Sequence, residues 1–85
     1  MENKEKERQI KIREGVVKRL TKELEMYKQE VVDGEETMNK ISLDDENGQW
    51  KKNNQSKLIE ESKKLVIDTE QRLTKAIDEL EKIKC

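Results

Sequence analysis

Apolar residues recur in steps of three and four along two long stretches, and no proline interrupts either one. Ile10, Val17, Leu20, Leu24, Tyr27, Val31, Met38 and Ile41 follow this spacing in the first stretch. Ile59, Ser62, Val66, Thr69, Leu73, Ala76, Leu80 and Ile83 form a continuous seam in the second. Because a helix turns about 100° per residue, steps of three and four keep such residues on one stripe and leave the charges outside. The chain is therefore expected to form two amphipathic helices. The first should run from about residue 4 to 43 and would be roughly 60 Å long at about 1.5 Å per residue.

Between the stretches, Asp44-Asp45-Glu46-Asn47-Gly48 breaks the period and ends in an Asn-Gly pair typical of a turn. A turn over 44–48 and a second helix over about 49–84 complete a single helical domain, 1–85. Charge blocks favour folding back at this point: residues 29–48 sum to −6, and residues 49–64, which would lie beside them, to +3. Extending the second seam backward places Gln55 and Lys52 on it, so Trp50 is expected to supply apolar contact near the turn. Acids four residues before bases, at Glu2/Lys6, Glu7/Lys11, Glu14/Lys18, Glu36/Lys40, Glu60/Lys64 and Asp78/Lys82, support the helices at a few tenths of a kcal/mol each. Gly34 falls on the first seam, where it serves either a close approach of helices or a bend.

At 85 residues, with 31% hydrophobic and 46% charged, the chain cannot fill a thick core. The expected fold class is all-α: a long antiparallel helical hairpin. Ile12, Val16 and Met26 lie beside or off the first seam, and Leu58, Leu65, Ile67 and Ile77 flank the second. Either the stripes are broader than a strict coiled coil, or another helix, a second copy or a client covers these side chains.

Catalytic chemistry finds no support in the residue types. There is no histidine, the three glycines are isolated, and no Cys/His cluster suits zinc. The acidic turn does not match a calcium loop, because aligning Gly48 to its glycine puts Leu43 and Asn54 where carboxylates are required. No catalytic, cofactor-binding or metal residues are expected. With near-zero net charge and only Tyr27 and Trp50 as aromatics, no nucleic acid is expected as a partner. No apolar run approaches bilayer length and no signal-peptide core is present, so no membrane partner is expected and the location reads as intracellular. The lone cysteine, Cys85, is expected to be an incidental thiol.

The segments Arg8-Gln9-Ile10-Lys11-Ile12, Gly15-Val16-Val17-Lys18-Arg19-Leu20, Lys22-Glu23 and Met26-Tyr27 resemble the tubulin-specific chaperone A family, also called tubulin-folding cofactor A. The similarity resumes at Glu61-Ser62, Asp68, Arg72-Leu73 and Leu80. The resemblance implies a helical rod that binds β-tubulin folding intermediates after chaperonin release and assists αβ-heterodimer assembly as a non-enzymatic, cytoplasmic, cytoskeleton-associated protein. Partners it implies are β-tubulin and other tubulin-folding cofactors. Members of the family commonly have a third helix, whereas this chain ends with the second. The hairpin is therefore expected to be part of a three-helix bundle or of a dimeric four-helix arrangement, with a homodimer as the further partner. Some members have a proline midway along the second helix; Ile67 stands there in this chain, so that helix is expected to run straight through.

For partner binding, Lys11, Lys18, Arg19 and Lys22 are expected to steer an acidic surface, and Ile12, Val16, Met26 and Tyr27 to supply apolar contact. The alternative function is a structural coiled-coil subunit of a larger helical assembly, which explains the periodicity equally well.

Overall fold

A computed structural model describes residues 2–85, with side chains from residue 3 onward. Two helices, α1 (Glu2–Lys40) and α2 (Gly48–Lys84), fold back on one another as an extended hairpin measuring 70 × 14 × 12 Å. In α1 and the residue just after it, a stripe of half-buried and buried positions from Ile10 through Arg13, Val17, Leu20, Leu24, Tyr27, Val31, Gly34 and Met38 to Ile41 keeps the alternating three-four step without a break, with half-buried Gln9, Val16 and Glu23 beside it. Those of α2 do the same from Lys52 through Gln55 and Ile59 to Ile83. Two helices in contact along one stripe each can enclose little, and Leu20, 5% exposed, and Ile59 are the buried aliphatic residues among those described.

α1 ends at Lys40, three residues short of the expected Leu43. Local hydrogen bonds account for this. Ile41 N–H donates to Met38 O at 3.2 Å, which tightens the last turn, and Ser42 Oγ then accepts the Asp44 N–H at 3.2 Å. Serine and aspartate offer the backbone such competing bonds, so they favour turns over helix interiors. Gly48, expected in the turn, instead opens α2. It is buried, and a Cβ there would run into the Ser42 carbonyl oxygen, so the return of the chain depends on its missing side chain. Across the turn Lys51 Nζ meets Asp45 Oδ2 at 2.8 Å. That hydrogen bond and the lysine's charge hold the Asp45 carboxyl below its usual value.

Trp50 does not make the contact expected of it: it is 68% exposed. It lies two residues before the seam position Lys52, about 200° around the helix, and so faces away from α1. Lys52 and Gln55, both half-buried, cover the seam near the turn instead. Gln55 Nε2 donates to the Gly34 carbonyl oxygen at 3.2 Å, and Gly34 lets Ile59 approach α1 closely. Gly34 thus sits at a point of close helix contact within an uninterrupted helix. α2 also passes Ile67 without interruption.

At the open end of the rod, Arg13 occupies a seam position and donates from Nη1 to Glu79 Oε2 at 2.7 Å, while its Nε is buried without a partner. Among the expected pairs along the helices, Asp78–Lys82 closes at 3.2 Å, whereas Glu14 reaches across to Lys84 at 3.8 Å. Glu2/Lys6 lies outside the residues whose side chains are described.

Candidate functional site

The seam divides the rod's surface into two flanks. Glu14–Lys84 and Glu35–Lys63, both at 3.8 Å, bridge the helices along the first flank. Arg13–Glu79 bridges them along the second, beside a small cleft of about 80 Å³ that Val16 and Ala76 also line.

Helical phase then sorts the residues expected to bind a partner. Ile12, Arg19 and Met26 are seven residues apart and form one line on the second flank, with half-buried Val16 between that line and the seam. Ile12 is 51% exposed and Met26 50%. Arg19 lies over its own helix, its Nε 3.8 Å from Glu23. Lys22 is exposed at the edge of this line. Lys11 and Lys18, also exposed, share a different line about 100° further round, on the first-flank side, which Val32 continues. Tyr27 is half-buried in the seam. The eight residues therefore do not form one patch: Ile12, Val16, Arg19 and Met26 are brought together, Lys22 borders them, Lys11 and Lys18 face elsewhere, and Tyr27 packs inward.

Two residues of α2 belong to the same flank. Leu58 and Leu65, 48% and 41% exposed, each stand one residue before a seam position, as Val16 does. In an antiparallel hairpin, residues of equal phase on the two helices share a flank, so these leucines extend the apolar face of Ile12 and Met26 across the seam. The signal was present in the spacing, but it acquires meaning only once the seams of the two helices are placed against each other.

Such a face offers contact area and charge. Among the described residues no group of three or more His, Cys, Asp or Glu side chains is arranged to hold a metal ion, and no helix is long and apolar enough to cross a membrane. Arg72 pairs with Asp68 of its own helix at 3.2 Å and Arg19 more loosely with Glu23 at 3.8 Å, and the exposed apolar residues stand beside them.

The sequence profile of the family described as tubulin binding cofactor A matches residues 5–84, which takes in both helices and the turn. Proteins named tubulin-specific chaperone A from Oryctolagus cuniculus and Homo sapiens are each 43% identical to the chain over 77 residues, spanning 89% of this chain and 69% of theirs. The protein of that name from Gallus gallus is 41% identical over 68 residues, spanning 78% of this chain and 60% of its own. No solved structure matches the chain.

Proposed function

Because the chain belongs to the tubulin binding cofactor A family, we propose that it is a tubulin-folding chaperone that binds β-tubulin folding intermediates after chaperonin release and assists αβ-heterodimer assembly. The observation that carries this reading is the family match over residues 5–84, which coincides with the whole hairpin. The match does not favour a structural subunit of a larger helical assembly. The mechanism is binding, and the working location is the cytoplasm.

The second flank is the surface best suited to the client. A folding intermediate exposes apolar surface, and Ile12, Met26, Leu58 and Leu65 have roughly half their side chains left to bury. By area, each contributes on the order of 1 kcal/mol when covered, before the cost of association. Four such contacts support reversible capture rather than a permanent complex, as a chaperone requires. Lys11 and Lys18 lie on the opposite side of α1 from this face, where they raise the encounter rate with an acidic surface without entering the contact. Arg19, within the Ile12–Met26 line, and Lys22, at its edge, do both.

A pull-down from cytosol with the full chain tests the reading. β-Tubulin as the retained protein supports it, whereas a helical assembly subunit retained in its place overturns it. Reversing Lys18 and Arg19 to Glu is expected to slow association by about tenfold at low salt. Unchanged kinetics at low salt would remove these two residues from the account.

A further inference from the structure

We propose that the first flank carries a second docking point, a hollow that receives an aliphatic or aromatic side chain from an acidic segment of a partner protein. It does not depend on the tubulin reading, because it lies across the seam from the Ile12–Met26 line.

The hollow has a volume of about 310 Å³ and is lined by Val31, Val66 and Ile67, with Lys28 and Lys63 beside them. Val31 and Val66 are half-buried seam residues, but Ile67 is 59% exposed, one of the most exposed aliphatic side chains in the chain. Val32, 47% exposed, extends the apolar surface along α1. An apolar floor in this setting would suit many partners. The two lysines narrow the choice.

Lys63 reaches Glu35 at 3.8 Å, well beyond the roughly 2.7–2.9 Å of a charge-assisted hydrogen bond. Lys28 forms no ion pair among the described residues. Glu70 occupies the position opposite Lys28 in the register set by Glu35–Lys63 and Glu14–Lys84, yet it does not close on it. Lys28, with no ion pair among the described residues, and Lys63, in one long pair, therefore stand beside the apolar floor. A neutral apolar partner covering that floor would strip water from both without supplying a counter-charge to Lys28, a costly exchange. A partner whose apolar side chain is flanked by carboxylates gains the burial and supplies the missing counter-charge together.

Titration of the isotope-labelled full chain with the peptide acetyl-Glu-Glu-Leu-Glu-Glu-amide, followed by methyl and amide NMR shifts, tests the proposal. The lysine analogue acetyl-Lys-Lys-Leu-Lys-Lys-amide is the control. Saturable shifts centred on Val31, Val66 and Ile67 are expected with the acidic peptide and not with the control. Raising salt from about 0.05 to 0.5 M is expected to weaken them. Ile67→Glu, or Lys28→Glu with Lys63→Glu, is expected to lower affinity by about tenfold. All three positions are exposed, so helicity should be retained, and Ile67→Ala provides a milder variant. Shifts centred instead on Lys11, Lys18 and Lys22, equal response to the lysine analogue, or no saturation at millimolar peptide would each overturn the proposal.

Discussion

In a helix interior, replacing glycine by alanine ordinarily stabilises by about 1 kcal/mol. Gly34→Ala is expected to do the reverse, because a Cβ at this position would sit 2.9 Å from Ile59 Cγ1 and 3.3 Å from Gln55 Nε2. Cγ1 lies in the middle of a β-branched side chain with a stiff χ1, so it cannot swing aside as a lysine tip would. Ile59 is also one of the two buried aliphatic residues among those described. Either it leaves its rotamer or the helices part, and overpacking of this kind costs about 1–3 kcal/mol. The hydrogen bond from Gln55 to the Gly34 carbonyl is strained at the same time, a further loss of about 0.5–1.5 kcal/mol. Set against the propensity gain, the net effect is a destabilisation of about 0.5–3.5 kcal/mol. Gly15 is the internal control, since nothing lies within 4 Å of a Cβ there and alanine should stabilise by the ordinary amount. Urea unfolding followed by far-UV circular dichroism should move the two variants in opposite directions, separated by about 1.5–4.5 kcal/mol, which is roughly 10 °C in Tm toward the lower end of that range. If Gly34→Ala proves as stable as Gly15→Ala, close helix approach is not the reason for glycine at position 34.

Arg13→Leu should leave stability unchanged or raise it by about 1 kcal/mol in the same urea assay, since it removes an orphaned Nε and adds an aliphatic seam residue; a clear loss would mean that the bond to Glu79 holds the open end together. Because Asp45 has a lowered carboxyl value in the folded chain, its stabilising effect is present above the ordinary 3.8 and is lost as pH falls through the lower folded value. Asp45→Asn should therefore flatten the acid end of a urea-midpoint profile, and an unchanged slope would contradict the Lys51 contact. Trp50, 68% exposed, should emit as a solvated indole and be quenched freely by acrylamide in the folded chain; a blue-shifted, protected signal would place it against α1.

Most of the hairpin was legible because its information is periodic. The seam residues from Ile10 to Ile41 and from Ile59 to Ile83 follow from one rule about helical spacing. What the spacing could not convey depends on single contacts. Arg13 fills a seam position that hydropathy alone skips, since its guanidinium is accommodated only by Glu79 on the other helix. Size and hydropathy point Trp50 to the interface, yet its phase turns it outward and Lys52 covers the site with its aliphatic stem. The end of α1 shifted because Ser42 forms a local bond that competes with the helix. Residue type within one helix does not reveal that Lys11 and Lys18 face away from Ile12 and Met26. It also could not join Leu58 and Leu65 to them, because that flank exists only when both helices are present.

The measurement that bears most directly on the account is capture of β-tubulin released from chaperonin, by native-gel shift, comparing the wild-type chain with Ile12→Glu/Met26→Glu. Both positions are half exposed, so the variant should keep its helicity. The account predicts a shifted complex with the wild type and its loss, by about tenfold or more in affinity, with the variant. No shift with a well-folded wild-type sample would contradict the chaperone reading, and equal capture by the variant would contradict the second flank as the client-binding face.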